Sequence, residues 1–115
     1  MEIQKDVTVG EGTIVQSHSF ICELSTIGNN CFIGHGVMFI NDLFVDGKPA
    51  SGNKHLWRKT NIGNNVSIGS NASILPVDIC SNVVIGAGSV VTKKITEPGV
   101  YVGNPAKKIK EISSG

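Results

Sequence analysis

An all-β fold wound as a parallel β-helix is what this sequence predicts, and two observations carry the prediction. The first is a six-residue period. Ile3, Val9, Val15, Ile21, Ile27, Ile33 and Phe39 fall at strict steps; the series resumes with Leu56, Ile62, Ile68 and Ile74, then Ile79, Ile85 and Val91. The second is composition: Gly and Asn are abundant, β-branched residues are many, and aromatics make up only 5%. That is the profile of short strands joined by many tight turns.

A period of six fits neither an amphipathic helix nor a long two-sided strand. It fits a short strand followed by a sharp corner. The aliphatic residue points inward, and the Gly or Asn that follows it takes the turn, where positive φ is often required. Ile27-Gly28-Asn29-Asn30 and Ile62-Gly63-Asn64-Asn65 show the unit. Four positions after most phased residues stands a small or β-branched one: Val7, Thr13, Ser19, Ser25, Cys31 and Val37, then Thr60, Val66, Ala72, Val83 and Ser89. Three units close a triangular coil of about 18 residues, and about four to five coils stack as parallel strands roughly 4.8 Å apart. An ordinary β-sandwich with Gly-rich turns has no reason to keep this phase.

Three features interrupt the repeat. Residues 45–55, between Phe44 and Leu56, form a polar excursion containing Pro49, Gly47 and Gly52. Loops that leave a rigid repeat at one corner are usually functional. Ile74-Leu75-Pro76-Val77-Asp78 is a unit of only five residues, which demands a tightened corner. Thr96-Glu97-Pro98-Gly99 then breaks the pattern, and Val100 to Ile109 reads as a strand and a turn that fold back over the last coil. The expected organisation is a β-helix over 1–95 and a C-terminal extension over 96–115.

The 115 residues suit one domain with a modest core. A formal net charge of +1 gives no broad field for nucleic acid or an anionic membrane. Apolar runs are far too short for a membrane-spanning helix, and Met1-Glu2-Ile3-Gln4-Lys5-Asp6 lacks an apolar signal-peptide core. A cytoplasmic protein is expected. Cys22, Cys31 and Cys80 are an odd count without a CxxC pair, so reduced structural thiols are expected in place of disulfides or a zinc site.

These residues together resemble the hexapeptide-repeat acyltransferases, whose fold is a left-handed parallel β-helix. The resemblance covers nearly the whole chain. Ile85-Gly86-Ala87-Gly88-Ser89-Val90-Val91-Thr92-Lys93, followed by Val102-Gly103-Asn104-Pro105-Ala106-Lys107, is similar to the family's acetyl-CoA-binding end. Gly34-His35-Gly36-Val37-Met38-Phe39-Ile40-Asn41-Asp42-Leu43 looks like the signature of N-acetyltransferases acting on nucleotide-linked amino sugars. Such enzymes supply sugars for bacterial surface polysaccharides, lipopolysaccharide among them. The resemblance implies a homotrimer with sites between subunits, and the short chain is compatible with one domain of a longer bifunctional protein.

Acetyl transfer to an amine needs a neutral nitrogen, a held thioester and donors for the developing oxyanion. Winding the repeat puts Ser17, His35 and Asn64 at equivalent positions of one corner, with His18 one residue further along as a neighbour of His35. An imidazole ordinarily titrates near neutral pH, which makes His35 the candidate general base. Its bland alternative is a corner residue bonded to a carbonyl. Asn41 is a candidate to orient the acceptor nitrogen, Asp42 to bind a hydroxyl or the amine, and Trp57 and His18 to wall the acceptor site; each is otherwise a turn or anchor residue. In some related enzymes the coenzyme sulfur itself accepts the proton, which would leave His35 a positioning role.

For acetyl-CoA, Gly86, Ala87 and Gly88 would let the pantetheine arm approach the backbone, and Lys93, Lys94 and Lys107 would neutralise its phosphates. No metal is expected: His18, His35 and His55 do not have the spacing of a three-histidine zinc site. Two other readings stay open. One is an acetyltransferase of the same fold acting on a hydroxyl or an amino acid; the other is a non-catalytic trimeric module.

Overall fold

The computed structural model describes residues 2–3, 7–21, 25–40 and 59–111. The chain winds as a left-handed parallel β-helix of three sheets, and no helix occurs among the described residues. The first sheet stacks β1 (Glu2–Ile3), β4 (Phe20–Ile21), β7 (Met38–Phe39), β10 (Ser73–Ile74) and β13 (Val90–Val91). The second stacks β2 (Thr8–Val9), β5 (Ser25–Ile27), β8 (Thr60–Ile62) and β11 (Asp78–Ile79), and an isolated bridge from Ile79 to Ile95 lengthens it. The third holds β3 (Ile14–Val15), β6 (Phe32–Ile33), β9 (Ser67–Ile68), β12 (Val83–Ile85), β14 (Gly99–Gly103) and β15 (Ala106–Lys110).

Strands β1 to β13 are two or three residues long because each side of the triangle has room for little more between corners, whereas β14 and β15 have five residues each. Their pairing turns the six-residue period into three inward ladders. Ile21, Phe39, Ile74 and Val91 form one; Val9, Ile27, Ile62, Ile79 and Ile95 the second; Val15, Ile33, Ile68, Ile85 and Tyr101 the third. A second set of buried residues, including Cys31, Val37, Val66, Ala72 and Val83, lies where the corners end and completes the core. Fully burying one such Val or Ile side chain contributes about 1.5–3 kcal/mol before the entropic cost of ordering it.

Paired residues stand 18 apart in the first coils, as in Ile3 opposite Ile21 and Val9 opposite Ile27. They stand 35 apart across the interruption, where Ile27 faces Ile62 and Phe39 faces Ile74, and 17 apart afterwards, where Ile62 faces Ile79. The last spacing is the five-residue unit: one residue is dropped between β10 and β11 without loss of register. The excursion 45–55, with Asn41, Asp42, His55 and Trp57, lies outside the described residues.

Corners are closed by residues with positive φ, which Gly and Asn adopt at least cost. On the corner between the second and third sheets these are Gly12, Asn30, Asn65 and Asn82; on the next they are His18, Gly36, Asn71 and Gly88. The chain end continues the winding. β14 pairs in parallel with β12, and β15 then turns back antiparallel on β14 through Asn104 and Pro105.

Candidate active-site ridge

The corner linking the third sheet to the first repeats a short segment four times: 16–18, 34–36, 69–71 and 86–88. Backbone bonds tie these into a ridge. Gly36 donates to the Ser17 carbonyl at 3.1 Å, Asn71 to His35 at 2.8 Å and Gly88 to Ser70 at 2.9 Å. Ser17, His35, Ser70 and Ala87 are therefore equivalent positions. Asn64 is not among them, which corrects the expectation from the sequence. It follows Ile62 in the second sheet and sits on the preceding corner, beside Asn29 and Ser81. Counting hexads misplaces it because the step across the interruption is not a whole coil.

His35 is exposed, and its Nδ1 lies 2.9 Å from the Ser17 Oγ one coil away. The ring is thus held by Ser17, whereas His18 takes the left-handed turn position at φ 62°, opposite Gly36. Below the ridge, Ser19 Oγ donates to the Gly34 carbonyl at 2.6 Å and accepts from Val37 N at 3.1 Å, so the backbone on both sides of His35 is fixed from the interior.

Gly86, Ala87 and Gly88 lie on the same ridge as His35, two coils further on. Gly86 has a reason of its own to lack a side chain: a Cβ there would come within 2.5 Å of Val102 Cγ1 on β14. Gly88 faces open space at φ 71°, so its turn conformation, and not crowding, calls for glycine. Lys107 is opposite Val102 in the β14–β15 hairpin, which brings it to the Gly86 end of the ridge.

Lys93 and Lys94 lie elsewhere, on the corner between the first and second sheets. They join Lys59, Pro76, Val77 and Asp78 around an open groove of about 720 Å³. Asp78 is engaged there by Asn61, whose Nδ2 donates to Oδ1 at 2.9 Å. Lys59 is a groove residue that sequence reasoning missed. It precedes the phased Thr60, and the groove beside it is lined by Pro76, Val77 and Asp78 of the five-residue unit.

The hairpin is clasped by charge. Lys108 Nζ reaches Glu111 at 2.7 Å and Glu97 at 3.4 Å, and Tyr101 donates its hydroxyl to the Glu97 carbonyl at 2.8 Å. The hydrogen bond to Glu111 is the main cause that raises the Lys108 pKa, with Glu97 adding to it. Desolvation raises that of Tyr101, partly offset by Lys108. Among the described residues no cluster of three metal-ligating side chains occurs, and no helix is long and apolar enough to cross a membrane.

The chain matches known proteins along this frame. Residues 59–93 match the hexapeptide repeat of succinyl-transferase. The bifunctional protein GlmU of Thermodesulfovibrio yellowstonii is 39% identical over 105 residues, which are 90% of this chain and 21% of that protein. The chain thus spans about a fifth of the length of that relative. Among solved structures, a maltose O-acetyltransferase from Clostridium difficile 630 superposes with a TM-score of 0.76 at 30% identity, covering 98% of this chain and 67% of that one. A serine acetyltransferase from Neisseria gonorrhoeae gives a TM-score of 0.79 at 32% identity, covering 97% and 42%.

Proposed function

The chain belongs to the hexapeptide-repeat acyltransferase family, and from that membership we propose that it is an acetyl-CoA-dependent N-acetyltransferase acting on the amino group of a nucleotide-linked amino sugar. The single observation that carries this reading is the exposed His35, bonded to Ser17 at 2.9 Å, on the same corner ridge as Gly86–Gly88. The acceptor nitrogen attacks the thioester carbonyl carbon; a C–N bond forms and the C–S bond breaks. The proton leaving nitrogen goes to His35 Nε2 and from there to the departing thiolate. Direct transfer to the coenzyme sulfur is the variant in which His35 only positions the acceptor. Asn41, Asp42, Trp57 and His18 are proposed to hold the acceptor, and Lys93, Lys94 and Lys107 the coenzyme phosphates.

A homotrimer is part of the proposal. The outward residues of the two sheets flanking the His35 ridge include Ile14, Phe32 and Met38, all more than 40% exposed. The outward residues of the second sheet are Thr8, Thr26, Asn61 and Asp78. Apolar surface on both sides of the ridge favours subunits meeting there. The likeness to bifunctional GlmU supports a place within a longer sugar-modifying protein.

A second reading, acetylation of a hydroxyl on a small sugar or amino acid, is favoured by the maltose and serine acetyltransferases among the similar structures. The test is release of free coenzyme thiol from acetyl-CoA with nucleotide-linked amino sugars, maltose and serine as parallel acceptors. Turnover with the amino sugars alone supports the first reading. Turnover only with a hydroxyl acceptor replaces it with the second.

A further inference from the structure

We infer that Ser17 is a positioning residue for His35, fixing the ring tautomer that leaves Nε2 free to take a proton; the inference rests on the acyltransferase reading above. A neutral imidazole carries its proton on one nitrogen, and the partner of the other nitrogen decides which. Here the 2.9 Å contact between Ser17 Oγ and Nδ1 is compatible with Nδ1–H donating to the hydroxyl oxygen. That arrangement leaves the Nε2 lone pair unshared and available.

Four further hydrogen bonds make the pair a built arrangement instead of two surface residues in passing. The Ser17 carbonyl accepts from Gly36 N at 3.1 Å, so Ser17 is tied to the segment carrying His35 through its backbone as well as its side chain. The His35 carbonyl accepts from Asn71 N at 2.8 Å, which fixes the His35 backbone from the following coil. Ser19, two residues after Ser17, bonds Gly34 and Val37 on either side of His35. The equivalent position in the next coil is Ser70 and in the last is Ala87. The Ser–His pair is therefore a feature of one rung and not of the repeat. Among the described residues the Ser17 hydroxyl is the side-chain partner of His35, and the tautomer is assigned to it.

The experiment combines nitrogen NMR of the histidine rings with steady-state kinetics on the wild type, Ser17→Ala and Ser17→Thr. The wild type is expected to show His35 as the Nδ1–H tautomer, and Ser17→Ala to lose that preference. Acetyl transfer by Ser17→Ala is expected to fall about three- to ten-fold in kcat, the size of one hydrogen bond, with KM for acetyl-CoA unchanged. Ser17→Thr, which keeps the hydroxyl, is expected to restore both signals. An Nε2–H tautomer in the wild type overturns the inference. So does a Ser17→Ala enzyme with unaltered kcat and tautomer. An Nδ1–H tautomer in a protein that transfers no acetyl group overturns the acyltransferase reading, and the positioning role falls with it.

Discussion

The Oδ1 of Asn64 accepts a 2.8 Å hydrogen bond from the backbone N–H of Asn29, one coil below it. The same rung pattern runs on in both directions: Asn29 Oδ1 accepts from Glu11 N at 2.8 Å, and Ser81 Oγ accepts from Asn64 N at 2.9 Å. This ladder adds side-chain rungs to the backbone pairing of the corner, where Asn30 N donates to the Glu11 carbonyl, Asn65 N to that of Asn29 and Asn82 N to that of Asn64. Asn64→Ala leaves the Asn29 amide to water, and the expected cost is about 0.5–1.5 kcal/mol. Urea unfolding measures it. Acetyl transfer by the folded variant should match the wild type, because Asn64 lies neither on the His35 ridge nor in the lysine-lined groove.

Gly86 and Val102 make a sharper case, because the space is already filled. Gly86→Ala would put its Cβ about 2.5 Å from Val102 Cγ1, so the Val102 side chain or the hairpin that carries it has to shift. Overpacking of this kind typically costs about 1–3 kcal/mol. The double variant Gly86→Ala/Val102→Ala removes the clash and should recover most of the loss, which thermal melting would show. If the double variant is no more stable than Gly86→Ala, the glycine serves some purpose other than docking β14.

The six-residue phase makes the fold readable because each inward position has a single environment, a rung between two others. Ile33 is assignable to the core from its phase alone, and Val15 and Ile68 do sit directly beneath and above it. Corner neighbours are legible wherever the step is a whole coil, as with Ser17 and His35. Asn64 escapes that logic because neighbours across the interruption are 35 residues apart and those after it are 17 apart, and neither step follows from the period alone. Lys59 escapes it for a related reason. Its groove is shared with Pro76, Val77 and Asp78 of the five-residue unit, and a sequence reports the missing residue without saying which side chains it gathers.

The groove with Lys59, Lys93 and Lys94 yields a salt-dependent prediction. Three cations around one open groove attract an anionic ligand, and exposed charges act through a field that salt screens over about 10 Å at 0.1 M. Lys59→Ala should weaken acetyl-CoA binding and flatten its dependence on salt, as should Lys93→Ala. Calorimetric titration at two salt concentrations checks both. Equal affinity and equal salt slope in wild type and Lys59→Ala would remove Lys59 from the coenzyme site.

Alkaline pH should release the C-terminal hairpin before the rest of the helix. Lys108 has its pKa raised above 10.5, first by the hydrogen bond to Glu111, and Tyr101 has its pKa raised above 10.0, first by desolvation. A raised folded-state pKa means that stabilisation is complete below the unfolded value and is lost as pH climbs through the folded one. Both groups therefore lose their contribution in the same alkaline window. Above it, Lys108 no longer bridges Glu97 and Glu111, and an ionised Tyr101 cannot donate to the Glu97 carbonyl. Tyr101 is the only tyrosine, so ultraviolet titration of the phenol reads its ionisation directly. A midpoint at the ordinary phenol value would sink the prediction.

His35→Asn separates chemistry from architecture. The side chain is exposed and contributes nothing to the inward ladders, so melting should stay within about 0.5 kcal/mol of the wild type. If Nε2 is the general base, acetyl transfer should fall about 10²–10⁴-fold, the usual share of such a group. A loss of only a few-fold, with KM for the acceptor raised, would instead assign the proton to the coenzyme sulfur and leave His35 as a contact to the acceptor. Asn41→Ala, measured beside it, should lower transfer without altering acetyl-CoA affinity if that residue orients the acceptor nitrogen. Full activity in both variants would remove the ridge from the chemistry while leaving the β-helix intact.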